Sequence, residues 1–205
     1  MTSTRPLARM RNTVLLGLAA ASLASCGINS VPTAEENAKA KWADVEAQFQ
    51  RRANLIPNLV EVAQGAAENE RGILTEVTEA RARATSVNID ADQLDNPEAM
   101  AQFQQAQGQL GAGLGRLLAS FEAYPQITSS QNFLALQSQL EGTENRIAVA
   151  IRDYNEAVRN YNTTIRTFPD TIGANLIHGA EPLVPYEAAS EGAEIAPTID
   201  MTDGN

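Results

Sequence analysis

Three charged side chains, Arg52, Glu70 and Glu144, fall on otherwise apolar helical stripes of this sequence. Removing a charge from water without a partner costs several kcal/mol, so each of the three must pair or sit at an edge. Two chemistries suit them. One is a buried polar network, an ion pair that fixes helix register. The other is a pocket that takes a small ligand or metal ion through Glu70 and Glu144. The single histidine, His178, and the single cysteine, Cys26, are too few for a His/Cys metal cluster. A hydrolase would need His178 to fold back from beyond the last stripe to serve as its base. The glycines of "GQLGAGLG" lack the flanking strand of a phosphate loop. Acids such as those in "EVTEA" and "ENE" read as solvated helix faces rather than acid–base pairs. No catalytic residue, no cofactor and no dedicated metal site is expected, and the protein reads as a non-enzyme.

Cys26 has its own chemistry. It follows a basic start (Arg5, Arg9, Arg11) and the apolar run Val14–Ala24, "VLLGLAAASLA". That run is far short of the roughly 20 residues that span a bilayer. A basic start, a short apolar middle and a small-residue end describe a secretory signal peptide over residues 1–25. Leu23-Ala24-Ser25-Cys26 resembles the bacterial lipobox, in which the cysteine thiol takes a diacylglyceryl group, the signal is cut before it, and the new amine is acylated, commonly with palmitate. Several acyl chains on one residue hold a protein stably at a bilayer. Cys26 is therefore the expected lipid attachment, residues 26–32 a tether, and the rest an extracytoplasmic domain on a bacterial membrane. Gly27 rather than Asp follows the cysteine, which leans toward the outer membrane if the host has two.

The chain has 205 residues, with 15 Lys+Arg against 25 Asp+Glu. Removal of residues 1–25 takes away three arginines and no acid, leaving 12 basic against 25 acidic residues. That balance disfavours nucleic acid, whose phosphates need a basic patch. It equally disfavours polybasic attachment to anionic lipid.

The elements that must position Arg52, Glu70 and Glu144 are long amphipathic helices. Thr33 and Glu36 have capping-box spacing. From Trp42 a stripe steps by threes and fours through Val45, Phe49, Arg52, Ile56, Leu59, Glu70, Ile73 and Val77 to Ala84. Pro97 suits a second start, and Met100, Phe103, Gln107, Leu110, Leu114, Leu117 and Phe121 repeat the pattern before Pro125. The third stripe runs Phe133, Leu136, Leu140, Glu144, Ile147, Ile151, Tyr154, Val158, Tyr161, Ile165 and Phe168, slipping once near Glu144. With no alternating pattern, the fold class is all-α: a long antiparallel, up-and-down bundle over residues 33–169. It has three helices, or four if the first is split.

Pro57 leaves that choice open, since it either kinks the first long helix or divides it nearby. Gly108, Gly111 and Gly115 share a side, for close helix approach or for flexibility. The repeated Tyr154-Asn155 and Tyr161-Asn162 pairs place both tyrosines inward, with Val158 and Ile165, each hydroxyl reaching a partner at the boundary. Residues 170–205 carry no Lys or Arg and read as an acidic, largely flexible tail, of which Ile172, Leu176 and Ile177 could pack.

"WADVEAQFQRRANLIPNLVE", "ENE", "EARA", "FEAYPQI" and "FLALQSQLEGTENRIAVAIRDYNEAVRNYNTTIRTFP" together resemble the LemA family over residues 33 to 169. The resemblance implies a membrane-anchored helical bundle without known catalytic residues. Many members carry an N-terminal transmembrane helix, and this chain departs there. The combined expectation is a lipid-tethered, non-enzymatic scaffold of the cell envelope whose partners are the bilayer, through acylated Cys26, and another envelope protein.

Overall fold

The computed structural model describes residues 5–64 and 71–187, with side chains from 29–62 and 71–187. Every regular element among them is helical. In chain order these are α1 (Arg5–Gln64), α2 (Arg71–Ser86), a 3-10 turn (Ala91–Gln93), α3 (Pro97–Phe121), the short α4 (Pro125–Thr128), α5 (Gln131–Thr164) and the short α6 (Asp170–Gly173). α6 passes into a π turn, Ala174–His178. No helix among the described residues is long and apolar enough to cross a membrane.

Local chemistry sets several boundaries. Asn96 caps α3 by accepting from the N–H groups of Glu98 and Ala99, with Pro97 in the first turn. Ser130 caps α5 by accepting from the Phe133 N–H at 3.2 Å. Thr33 is not a cap. α1 runs through it, and its hydroxyl donates to the Asn29 carbonyl at 2.6 Å, one turn back within the helix. Residues 26–32, read from the sequence as a tether before the first helix, fall inside α1.

Pro57 neither ends nor splits α1, which continues to Gln64. A proline there has no N–H for the carbonyl four residues back, that of Ala53. Arg81 Nε of α2 donates to that carbonyl at 2.8 Å, so it is not left open. The first stripe is instead shared between α1, which ends at Gln64, and α2, which begins at Arg71.

α1 packs against α5, and α2 against α3. Along α1, Ser30 bonds Asp170, Trp42 meets Tyr154, and Arg52 meets Glu144. Along α2, Glu76 pairs with Arg116, Gly113 lies against Val77, and the Ala84 carbonyl meets Gln107. Gly113 is the glycine of close approach, since a Cβ there would lie 3.4 Å from Val77 Cγ2. Of the three expected to share that role, Gly108 and Gly115 are exposed and Gly111 faces Arg52.

The apolar interior divides in two. One cluster gathers around Trp42, Phe49, Phe103, Ile147, Tyr154, Val158, Tyr161 and Ile165. The other is built on Ile56, Leu59, Val77, Leu110, Leu114, Phe121, Phe133 and Leu140. Between them lies a single polar layer. Arg52 falls between Phe49 and Ile56 on α1, Gln107 between Phe103 and Leu110 on α3, and Thr143 and Glu144 between Leu140 and Ile147 on α5.

Candidate functional site

Arg52 is only 5 % exposed, so its guanidinium must find its partners inside the protein. Nη2 donates to Gln107 twice, to the side-chain oxygen at 2.9 Å and to the main-chain carbonyl at 3.1 Å. Nη1 reaches Glu144 Oε1 at 3.4 Å. The guanidinium carbon stands 5.0 Å from the centre of the Phe49 ring, close enough for a cation–π contact. Arg52 Nε is buried without a protein partner. Gln107 completes the chain of bonds by donating from Nε2 to the Ala84 carbonyl at 3.2 Å. Ala84 lies in the last turn of α2, where carbonyls have no helical donor, so this one amide ties α2, α3 and α1 together.

Glu144 sits at the rim of this layer, its side chain 47 % exposed. The residue of α5 that turns fully inward is Thr143, whose hydroxyl donates to Gln139 O at 2.7 Å. Leu140, Thr143 and Ile147 therefore keep the three-four step, and the slip read at Glu144 is a neighbour flanking the core. Glu70 lies outside the described residues, as does the side chain of Cys26. Among the described residues no group of three or more His, Cys, Asp or Glu could hold a metal ion.

Beside the layer is an open cleft of about 400 Å³. Glu46, Gln50, Asn88, Asp90 and Gln107 give it polar walls, and Phe49 and Phe103 an apolar floor. Burial pushes the Glu46 carboxyl above the usual carboxylate range. Hydrogen bonds from the Trp42 indole and the Ile89 backbone pull it down, and the Asp90 charge adds to the rise.

The segment after the π turn covers the other flank. Gly179, at φ +57°, turns the chain in the left-handed conformation that glycine tolerates best. The chain then runs without regular structure to residue 187. Leu183 and Tyr186 are buried, whereas Ile172, Leu176 and Ile177 are exposed. The apolar residues that pack here are thus Leu183 and Tyr186, not the Ile172, Leu176 and Ile177 named from the sequence as able to pack. Tyr186 stacks near Phe49 and Phe103, with ring centres 5.9 and 6.5 Å away. Burial raises its hydroxyl pKa, while the Arg52 charge lowers it and the Glu144 charge raises it.

The tyrosine repeat of α5 packs inward, with Tyr154, Val158, Tyr161 and Ile165 all buried. Tyr154 donates its hydroxyl to the Val184 carbonyl at 2.8 Å, and burial raises its pKa. The asparagines beside the tyrosines hold the covering segment, a role the sequence signalled only as a repeat. His178 ends the π turn and lines a second cleft of about 270 Å³ with Glu35, Lys39 and Asp95.

Magnetosome proteins MamQ 2 and MamQ 1 of Paramagnetospirillum magneticum are each 29% identical to the chain over 145 residues, 63% of this chain and 53% of theirs. Magnetosome protein MamQ of Magnetospirillum gryphiswaldense is 27% identical over 143 residues, 62% of this chain and 53% of its own. The chain thus matches about half the length of these relatives. The pattern of the LemA family matches residues 41–201, from the Trp42 end of the apolar interior through the polar layer to the covering segment and past it. On that match the chain belongs to the LemA family.

Proposed function

We propose that this protein is a membrane-tethered, non-enzymatic scaffold of the bacterial cell envelope, held by lipid on Cys26, whose helical domain engages another envelope protein on the extracytoplasmic side. The observation that carries the tether is Leu23-Ala24-Ser25-Cys26, placed after a basic start and an apolar run too short to span. Membership of the LemA family supports a membrane role, and the relatives' names, magnetosome proteins, fit a role in a cell structure rather than in metabolism. The order of contacts supports an antiparallel bundle, since partners on α6 and α5 fall in number from Asp170 through Tyr154 to Glu144 as positions on α1 rise from Ser30 through Trp42 to Arg52. α1, α2, α3 and α5 would be its four long helices.

The same geometry supports a structural role for the polar layer. Arg52 donates to Gln107 on α3 and Glu144 on α5, which ties three helices at one level. The alternative is a bundle that binds a small ligand or metal ion through Glu70 and Glu144. Crosslinking in intact envelopes followed by affinity isolation tests the scaffold reading. A reproducible protein partner, lost when Cys26→Ser releases the domain from the membrane, is the expected outcome. Recovery of the crosslinked protein without a partner across mild conditions would reject it.

A further inference from the structure

Tyr161 breaks the pattern of its own repeat. Tyr154 donates its hydroxyl to the Val184 carbonyl at 2.8 Å. Tyr161 is only 2 % exposed, yet its hydroxyl has no hydrogen-bond partner among the described residues. A polar group taken out of water without a partner costs stability, so its presence asks for one. Tyr161 lines the cleft of about 270 Å³ beside His178, which gives that partner a place to sit.

Three separate stretches of chain build the cleft. Glu35 and Lys39 stand one turn apart on α1. Asp92 and Asp95 flank the buried Leu94 at the 3-10 turn. Glu181 and Leu183 follow the Gly179 turn. This last wall is pinned by Asn162, the neighbour of Tyr161, which donates to the Leu183 carbonyl at 2.9 Å and accepts from the Leu183 N–H at 2.9 Å. The Val184 N–H donates to the Leu94 carbonyl at 2.9 Å, which joins the second wall to the third. The opening above the Tyr161 hydroxyl is therefore held by main-chain bonds.

Its charge is one-sided. Four carboxylates, Glu35, Asp92, Asp95 and Glu181, line it against Lys39 and His178, an excess of two negative charges even with His178 counted as charged. Lys39 is already engaged, 2.9 Å from Glu35 and 3.6 Å from Asp92. At the Tyr161 hydroxyl, burial raises the pKa, the Glu35 charge raises it, the Lys39 charge lowers it, and the charges of Asp95 and Glu181 raise it. Such a surface disfavours an anionic ligand. It is also unsuited to a bare metal ion, which needs several oxygens converging on one point, and no group of three or more His, Cys, Asp or Glu converges in that way among the described residues. Positive charge divided between two separated positions suits it better. Leu94, Ala180 and Leu183 add apolar surface for a methylene stem. We propose that this cleft binds a small linear diamine, one ammonium donating to the Tyr161 hydroxyl oxygen and the other held by the rim carboxylates. The site uses neither Glu70 nor Glu144 and does not depend on the tether.

Calorimetric titration of the full-length chain in detergent at low ionic strength, with diaminobutane as the probe, tests it. Saturable one-to-one binding is expected, with butylamine weaker and neutral butanediol inert. Tyr161→Phe should weaken the diamine by about tenfold or more, the loss of a hydrogen bond to a charged group. The same variant, without ligand, should melt at or above the parent Tm, because no internal bond is lost. Asp95→Asn with Glu181→Gln should weaken binding and flatten its salt dependence. No saturable binding of diaminobutane to the unmodified chain would overturn the proposal, a result that needs no variant to fold. So would equal affinity for butanediol, or diamine affinity unchanged in Tyr161→Phe. A lowered Tm of the unliganded Tyr161→Phe chain would show that the hydroxyl serves the fold, and would overturn it too. Magnesium that displaces the diamine at equal concentration would assign the cleft to a metal ion instead.

Discussion

Replacing Arg52 and Gln107, singly and together, measures whether the polar layer acts as one unit. Arg52→Met keeps the bulk of the side chain and removes the guanidinium. It takes away two bonds to Gln107, at 2.9 and 3.1 Å, each a charge-assisted interaction of about 1.5–3 kcal/mol. The Glu144 contact adds little, about 0–1 kcal/mol, because that carboxylate is half in water. Against these losses stands relief of the guanidinium's desolvation, itself several kcal/mol. What remains is chiefly the unpaired Gln107 oxygen, so Arg52→Met should destabilise by about 1–3 kcal/mol. Gln107→Leu is worse, about 3–5 kcal/mol, since it takes the shortest bond from a buried cation, leaving it the main-chain carbonyl and Glu144, and opens the Ala84 carbonyl. The double variant joins the two apolar clusters and strands only that carbonyl. Its cost should be lower than the sum of the singles by at least about 2 kcal/mol, a coupling within the range for one network. Urea unfolding followed by Trp42 fluorescence and by circular dichroism gives the three values. Single-variant costs that add to within about 0.5 kcal/mol would refute the reasoning, because independent sites behave that way.

Three further outcomes follow from the same structure. Arg81→Met should cost about 1–2 kcal/mol in the parent and much less in a Pro57→Ala background, where the restored N–H serves the Ala53 carbonyl; equal costs in thermal melts would deny the link. Glu46→Gln should raise stability at neutral pH. A carboxyl whose folded pKa is raised binds its proton more tightly when folded, so its contribution is greatest in acid and is lost as pH rises through that pKa. Denaturation midpoints of parent and variant should therefore converge in acid, and a constant gap from acid to neutral pH would contradict this. Gly115→Ala, in mid-helix with nothing within 4 Å of the added Cβ, should stabilise by about 1 kcal/mol, and a lowered Tm would show that α3 needs flexibility there.

The apolar stripes made the helices, and the residues at odds with them, legible in the sequence. Arg52 and Glu144 stood out because a charge at a core position demands a partner, and the two lie 3.4 Å apart. Gln107 sat on the second stripe without being marked as a partner, since a neutral amide there raises no such alarm, yet it makes the shorter bond to Arg52. The fate of Pro57 could not be read locally. Its open carbonyl is served by Arg81, 28 positions beyond Ala53 on another helix. The covering segment escaped for a related reason. It is acidic and free of helical periodicity, and its hold comes from main-chain groups bonded to Asn155 and Asn162, a signal that hydrophobic patterning does not carry. The paired Tyr-Asn repeats were the visible half of that site.

The central claim is attachment of this helical domain to a membrane through Cys26, and the intact mass of the native protein tests it most directly. Protein taken from the membrane fraction of its host, without heterologous expression, should begin at Cys26 and carry the mass of a diacylglyceryl group plus an amide-linked acyl chain. Fragmentation should place all of that mass on the first residue. A membrane-bound protein with an unmodified thiol at Cys26, or one that retains residues 1–25, would contradict the account.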